Sequence, residues 1–219
     1  MTVSDVIKEL KKVSDASRLS GMSSFGIDVS KAIGVSIPNV RALAKKIKTN
    51  HSLALQLWDT EIHEARILAS MIADSKQVTK SLFNKWVADF NSWDLCDQTC
   101  GNLLDKTPFA IDKAIEFSKN KREYVKRAGF VLMAALAVHD KKADDAVFIN
   151  FLPIIQREAN DERNFVRKAV NWALRQIGKR NKKLNRAALL CAESILTQES
   201  KSAKWIATDA IRELKSKKF

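Results

Sequence analysis

The chain has 219 residues, of which 46% are hydrophobic and 29% are charged, with a formal net charge of +13. This is a globular composition, and no apolar run approaches the roughly 18 residues that a membrane span requires. Six glycines and three prolines are few for this length. They argue against sandwiches, barrels and glycine-rich nucleotide folds, which use such residues in turns and phosphate loops. We therefore expect one all-helical domain over residues 1–219.

Short helices can be placed along the chain from their start signals. Ser36-Ile37-Pro38 opens one helix, because proline is tolerated in a first turn where its missing N–H has no partner. Ser92 precedes another helix, and Asn120-Lys121-Arg122-Glu123 resembles a capping box before the apolar run 124–138. Asp161 precedes a segment that reaches Gly178. We expect about a dozen helices joined by tight polar connectors.

Segments of similar pattern recur along the chain. Their landmark positions, 65, 97, 128, 169 and 203, are separated by 32, 31, 41 and 34 residues. Helical-pair repeats have periods of roughly 34 to 47 residues, so the pattern predicts an α-solenoid whose repeats are clearest from about residue 60 to 215. Such stacks curve, and their concave side forms an extended binding surface.

The excess of positive charge favours a polyanionic partner, with nucleic acid first and an anionic membrane second. The N-terminus lacks the basic stretch and the apolar core of a secretion signal. We expect a cytoplasmic protein, associated with the nucleoid in a prokaryote, that acts as a monomer and binds no membrane.

Several kinds of site can be excluded from residue spacing. Three cysteines do not make a disulfide framework, and Cys96 with Cys100 lacks the histidine or second pair of a zinc site. His51, His63 and His139 show no ligand spacing, and no Ser or Cys has a recognisable triad partner. The sequence also contains no glycine-rich phosphate loop. We expect no metal and no organic cofactor.

The densest charge lies between Arg163 and Ala192, where nine residues are basic and none is acidic. One side of the helix predicted here is basic and carries an aromatic residue: Lys168, Trp172, Arg175 and Lys179. An aromatic ring among cations is typical of surfaces that bind sugars and bases. The alternative for Trp172 is a solvated face along which the indole lies. For Trp58, Trp86 and Trp205 we expect core packing.

The helix after Ser92 carries a second aromatic residue beside a charge. Trp93 and Asp97, four residues apart, share one side of this helix next to Gly101. The other side is predicted to be packed: Leu95, Cys96, Thr99, Cys100 and Leu103. Asp97 either caps or pairs with an arginine, or it acts as a functional carboxylate.

Arg127 lies on a helix that is apolar almost all round from Phe130 to Val138. A guanidinium in this setting requires an anion. An internal salt bridge and a bound phosphate fit its chemistry equally well, and both interpretations stay open on the residues alone.

Four segments, in their order and separation, resemble the AlkD-like DNA alkylation repair family of HEAT-like repeat proteins. The resemblance covers residues 25–214 and rests on Ile33–Arg41, Ser92–Asp97, Tyr124–Ala128 and Lys168–Arg175. It implies a curved α-solenoid with a basic concave groove that holds double-stranded DNA. It also implies a glycosylase that removes cationic N3- and N7-alkylated purines and need not turn the damaged base out into a pocket.

The resemblance also assigns roles to individual residues. Trp93 and Trp172 would pack against the deoxyribose of the damaged nucleotide, and Asp97 would be the catalytic carboxylate between them. Arg127 would hold a backbone phosphate, and Arg175 would add a further DNA contact.

Other residues extend the predicted DNA surface. Lys168, Lys179 and Arg41 are expected to bind DNA. Phe25 stands where family members often carry Tyr, and Ser36 stands where a longer amide side chain can occur. We therefore expect lesion recognition to differ at these two positions.

Two other functions are compatible with the sequence. The first is a non-catalytic HEAT-like repeat protein that binds damaged or unusually shaped DNA. The second is a protein-binding scaffold whose basic face docks an acidic partner. Base release by Asp97 separates the glycosylase from both alternatives, and salt-dependent DNA affinity separates the scaffold from the other two.

Overall fold

A computed structural model describes all 219 residues, and every regular element in it is a helix. Its thirteen α-helices confirm the all-helical fold, and none of them is long and apolar enough to cross a membrane. Two 3-10 turns, Ser75–Gln77 and Leu104–Lys106, accompany them. The α-helices are α1 (Val3–Lys12), α2 (Arg18–Ser24), α3 (Ile37–Ile47), α4 (His51–Trp58), α5 (His63–Ile72), α6 (Lys80–Ala88), α7 (Trp93–Asn102), α8 (Ala110–Ser118), α9 (Glu123–His139), α10 (Asp145–Glu158), α11 (Asn164–Gly178), α12 (Lys182–Leu196) and α13 (Lys201–Ser216).

Three of the four helix starts predicted from the sequence agree with the structure. Ser36 is the N-cap of α3, and its hydroxyl accepts from the N–H of Asn39 at 3.4 Å, with proline in the first turn. The predicted starts of α7 and α11 are also correct to within three residues. The capping box predicted before α9 is wrong. Asn120 Oδ1 instead accepts from the N–H of Arg122 at 2.9 Å, so this side chain closes the preceding turn and leaves α9 without a side-chain cap.

The helices group into two compact units, Met1–Thr107 and Pro108–Phe219. In the first unit α5 packs against α3, α4 and α7. Its core contains two parallel stacked indoles, Trp58 and Trp86, with ring centroids 4.0 Å apart. Both are buried, as predicted, and Trp58 Nε1 donates to Asp89 Oδ2 at 2.8 Å. The assignment of residues 1–219 to one domain stays a prediction.

In the second unit α9 packs against α8 and α11 and is buried along most of its length. The crossing of α8 and α9 is close. A Cβ at Gly129 would lie 2.5 Å from the backbone nitrogen of Ser118 and 2.9 Å from the backbone oxygen of Ala114. Only glycine permits this approach, because two helix backbones cannot shift apart without opening the core.

Side-chain hydrogen bonds recur at a constant sequence separation within each unit. In the first unit the separation is 31 residues, in Ile33 to Glu64, Trp58 to Asp89 and His63 to Asp94. In the second it is 38 residues, in Arg127 to Phe165, Asn171 to Asp209 and Arg175 to Glu213. A contact repeated at one spacing links equivalent helices of successive repeats. The separation of 31 agrees with the predicted spacings of 32 and 31, whereas 38 lies between the predicted 41 and 34.

A half-buried ion-pair cluster joins α9 to the end of α10. Lys126 Nζ lies 2.5 Å from Glu158 Oε2 and 2.9 Å from Asp161 Oδ2, and Arg163 Nη2 lies 2.6 Å from the same Asp161 oxygen. Burial works to raise the pKa of Asp161. The hydrogen bonds from Arg163 and Lys126 outweigh it and lower that pKa from 3.8 to about 2.

This cluster predicts an acid-sensitive contribution to stability. Because the pKa of Asp161 is lower in the folded than in the unfolded chain, its stabilisation is complete above about pH 4 and is lost as the pH falls to about 2. Asp161→Asn should lower the free energy of unfolding by about 1 kcal/mol at neutral pH, less than the pKa shift alone implies, because solvent screens these partly exposed charges. Urea unfolding from acid to neutral pH measures this. Asp112→Asn, an exposed change on α8, is the control and should leave the curve unaltered.

Candidate functional site

Helix α7 carries Trp93 and Asp97 on one side, and both side chains are half-buried, as is Gly101. The predicted packed side is confirmed, since all five of its residues are buried: Leu95, Cys96, Thr99, Cys100 and Leu103. Ser92 is the N-cap residue, but its hydroxyl donates to Asp94 Oδ1 at 2.8 Å instead of capping the helix. The indole and the carboxylate therefore share one side of α7, as the sequence predicts.

The orientation of Trp93 is fixed by the segment after α2. Its Nε1 donates to the backbone oxygen of Phe25 at 3.0 Å. Phe25 is the C-cap residue of α2, and its side chain is 72% exposed. Two residues predicted to meet the DNA thus lie together, although 68 positions separate them in the sequence.

Phe25, Trp93 and Ser36 line one cavity of about 530 Å³ in the first unit. Three residues of the predicted site therefore converge there. Asp97, one helical turn beyond Trp93, is not among the lining residues. The carboxylate therefore lies outside this cavity.

A buried carboxylate at the cavity holds the loop that leads into α3. Glu64 is 1% exposed, and its oxygens accept the backbone N–H groups of Ile33 at 3.0 Å, Gly34 at 2.7 Å and Val35 at 3.0 Å. Gly34 has a φ of +80°, a conformation that favours glycine. This arrangement fixes the backbone immediately before Ser36.

Next to Glu64, a histidine and an aspartate pair inside the first unit. His63 Nε2 lies 2.8 Å from Asp94 Oδ2, with side-chain exposures of 3% and 12%. Burial works to lower the pKa of His63, but the hydrogen bond and charge of Asp94 raise it overall. Burial works to raise the pKa of Asp94, but the hydrogen bond and charge of His63 lower it. Both groups therefore favour their charged forms.

Sequence reasoning missed this pair. His63 showed no ligand spacing, and Asp94 was noted only as part of the Ser92–Asp97 segment. The available signal was the separation of 31 residues between them, which matches the repeat spacing of the first unit.

Arg41 lies on the exposed side of α3 and contacts α7. Its Nη2 donates to Oε1 of Gln98, the residue after Asp97, at 3.1 Å. Arg41 also lines a shallow cleft of about 460 Å³ that contains three further cations and no carboxylate: Lys45, Lys48 and Lys106. Positive charge thus adjoins the end of α7.

Helix α11 has the two faces that the sequence predicts. Its apolar face is buried, apart from the half-buried Phe165: Val166, Ala169, Val170, Ala173, Leu174 and Ile177. On the other side, Lys168 is exposed and Trp172 is half-buried. With the Gln176 amide oxygen turned towards the indole, Trp172 Nε1 donates to it at 2.8 Å. This indole lies along the helix surface next to a cation.

Two residues on the basic side of α11, Arg175 and Lys179, are paired with carboxylates of α13. Arg175 Nη1 contacts Glu213 and lies 3.5 Å from Asp209 Oδ2, and Lys179 Nζ lies 2.7 Å from Glu213 Oε1. Burial works to raise the pKa of Glu213, but Lys179 and Arg175 lower it overall. The segment around these cations contains no acidic residue, yet the fold supplies two. A DNA contact by Arg175 or Lys179 stays a prediction.

Arg127 is 5% exposed, and its Nη1 donates to the backbone oxygen of Phe165 at 2.5 Å. The guanidinium therefore helps to join α9 to α11 inside the second unit. The phosphate contact suggested for it stays a prediction, and any variant at this position also removes an internal hydrogen bond.

The predicted core role of Trp205 is wrong. Its side chain is 39% exposed, and the Arg167 guanidinium lies over the ring, 5.2 Å from the centroid. The packed side of α13 is formed mainly by small residues, including Ala203, Ala207 and Ala210. The indole consequently lies at the edge of the helix contact.

No group of three or more His, Cys, Asp or Glu side chains is placed to hold a metal ion. The three cysteines are buried and form no disulfide bond, and burial raises the pKa of the Cys191 thiol to about 12. Trp93 and Asp97 belong to the first unit, and Trp172 and Arg127 to the second. The convergence of these two pairs stays a prediction.

The fold of this chain is similar to that of a solved structure. One solved structure is described as a new family of proteins related to the HEAT-like repeat DNA glycosylases, with affinity for branched DNA structures. It matches with a TM-score of 0.80 at 21% identity, over 97% of this chain and 95% of the other. This similarity shows the HEAT-like repeat fold. The comparison with curated proteins gave no significant match.

The sequence itself matches the profile of the DNA alkylation repair enzymes from residue 6 to residue 214, which is nearly the whole chain. The chain belongs to the DNA alkylation repair enzyme family.

Proposed function

We propose that this protein is a DNA glycosylase of alkylation repair, which hydrolyses the N-glycosidic bond of cationic N3- and N7-alkylated purines in double-stranded DNA. The observation that carries the proposal is the side of α7 on which Trp93 and Asp97 are half-buried, while the opposite side of the helix is fully packed. A carboxylate beside an indole at the surface is suited to a cationic ligand.

The chemistry requires few groups because the damaged base is a good leaving group. When the N-glycosidic bond breaks, its electron pair neutralises the positive charge on the purine, and positive charge develops on the deoxyribose. The Asp97 carboxylate and the faces of Trp93 and Trp172 would stabilise that charge. Water then bonds to C1′ and releases a proton, and the products are a free base and an abasic site.

Asp97 has a second role in this scheme. Its carboxylate would orient the attacking water or accept its proton, an effect typically worth about 10²–10⁴-fold in rate. Since the leaving base needs no protonation, a single carboxylate is sufficient, and neither a metal nor an organic cofactor is needed.

DNA would be held mainly through its phosphates. Lys168 and Arg41 are exposed and available for such contacts, with Arg175, Lys179 and Arg127 as further candidates. Contacts to phosphate position the duplex without reading its sequence. Phe25 and Ser36 would lie near the lesion, and we propose that the chain acts as a monomer through a single basic groove.

A second candidate function is non-catalytic binding of DNA with unusual shape. It is favoured by the structural relative, whose described property is affinity for branched DNA rather than base removal. The two candidates differ in product, because only the glycosylase leaves an abasic site that heat or alkali converts into a strand break.

Replacement of Asp97 tests its proposed catalytic role. On a duplex with one N7-methylguanine, Asp97→Asn should reduce single-turnover base release by at least about 100-fold, since a carboxylate in this role contributes 10²–10⁴-fold. Affinity for the same duplex should change less than threefold. Asp112→Asn, an exposed carboxylate on α8, is the matched control and should behave as wild type. If the wild-type protein binds this duplex and produces no alkali-labile site, shape-specific binding replaces the enzymatic proposal.

Trp172→Ala should weaken both base release and duplex binding, because the indole would contact the sugar in both states. Arg127→Ala should do the same, with an added loss of stability from the broken bond to Phe165. Thermal unfolding of both variants separates these causes. Unchanged base release by a folded Trp172→Ala protein would remove this indole from the site.

Replacement of Glu213 on α13 tests whether the two cations it contacts bind DNA. If Arg175 and Lys179 bind phosphate, Glu213→Gln frees them and should tighten duplex binding and steepen its dependence on salt. Glu193→Gln makes the same charge change at an exposed position of α12 and serves as the control. Fluorescence anisotropy over a salt series measures both. Equal effects of the two substitutions would indicate a general charge effect and exclude these two contacts.

A further inference from the structure

The cavity of the first unit has the size and lining of a ligand site. Its volume of about 530 Å³ falls within the roughly 300–1,000 Å³ that is usual for small-molecule sites. Its apolar wall is formed by five aliphatic or thioether side chains from α2 to α5: Met22, Ile27, Val35, Ile37 and Ile67. Such a wall fits a flat, largely apolar group.

Two aromatic rings complete the wall. Trp93 is held by its bond to the Phe25 backbone, and Phe25 itself is 72% exposed, so its ring contributes little to the core. A large exposed aromatic ring at a cavity commonly serves a ligand rather than the fold. Rings of this kind stack on nucleobases, whatever the base sequence.

The charged groups of the cavity favour a ligand without net charge. Glu64 and Asp94 are both buried or nearly so, and the pairing that lowers the pKa of Asp94 keeps it charged. His63 pairs with Asp94, and Arg18 also lines the cavity, so two basic side chains face the two carboxylates. An uncharged group can enter such a site without adding an unpaired charge.

We propose that this cavity receives one nucleobase that lies outside the base stack of DNA. The inference rests on the proposed DNA binding, and it adds a base site to that function. If deoxyribose packs against Trp93, its base lies beside the cavity that the same indole lines. The base has two possible sources: a damaged base turned out of a duplex, or an unpaired base at a bulge or branch.

Gly21 offers a way to close the cavity without disturbing the core. It lines the cavity in α2, and a Cβ built there meets no other atom within 4 Å. Gly21→Leu would therefore occupy the space, and leucine favours the helix over glycine. Gly21→Ala adds only a methyl group and is the matched control. Phe25→Ala removes the exposed ring and provides a second, independent variant.

The experiment compares three duplexes that differ at one position: fully paired, with a single unpaired 2-aminopurine, and with one N7-methylguanine. The wild-type protein should prefer at least one of the two altered duplexes by about tenfold, the effect of one stacked base. Gly21→Leu should reduce that preference to less than twofold and leave paired-duplex affinity unchanged. Phe25→Ala should also reduce the preference to less than twofold. Gly21→Ala should retain it.

The duplex that shows the preference identifies the source of the base. A preference for the unpaired base, with a change in 2-aminopurine fluorescence, indicates a base already outside the stack, and a preference for the methylated duplex indicates a base turned out by the protein. Equal affinity for all three duplexes, or a preference that Gly21→Leu leaves intact, overturns the proposal.

Measuring base release and duplex preference in the same Gly21→Leu protein separates failure of the base site from failure of the glycosylase proposal. Base release that proceeds normally in Gly21→Leu, without any altered-duplex preference, would mean that the lesion is hydrolysed within the stack and that the cavity is not used. A preference that is lost in Gly21→Leu, in a protein that releases no base, would retain the cavity and reject the hydrolysis.

Discussion

Helix α7 can bury only one of its sides, and this constraint determines where the proposed chemistry can occur. Leucine, cysteine and threonine side chains occupy the contact with the rest of the first unit. Trp93 and Asp97 are thereby left half-buried on the other side. The carboxylate needs this position, because full burial among partners would make it unreachable by DNA, and full exposure would leave its charge screened by water.

Polar contacts between repeats do more than hold the helices together. In the first unit, the bonds that span 31 residues orient Glu64, His63 and Asp94 around the cavity beside α7. In the second, a bond that spans 38 residues neutralises Arg175, which lies on the side of α11 that the sequence predicts to be basic. Contacts between repeats therefore place charged groups at the cavity in one unit and reduce the accessible positive charge in the other.

The sequence predicted the helices and their faces well because both depend on local patterns. The apolar periodicity of α11 and the signal at Ser36 were sufficient to place those elements. Contacts between repeats were not predictable in this way. The carboxylate partners of Arg175 lie 34 and 38 residues away on a different helix, and Trp205 lies outside the buried side of α13, which is formed mainly by small residues. Asn120 does not cap α9 because its side chain accepts the N–H of Arg122 in the preceding turn.

The central claim is that Asp97 stabilises positive charge on the deoxyribose. Affinity for a duplex with a cationic pyrrolidine in place of one deoxyribose, compared with a neutral tetrahydrofuran, tests this electrostatic claim without any reaction. Analogues of a transition state bind about 10²-fold or more tightly than neutral counterparts. We predict such a preference in the wild-type protein and its loss in Asp97→Asn. Equal affinity of the wild-type protein for the two duplexes would contradict the account.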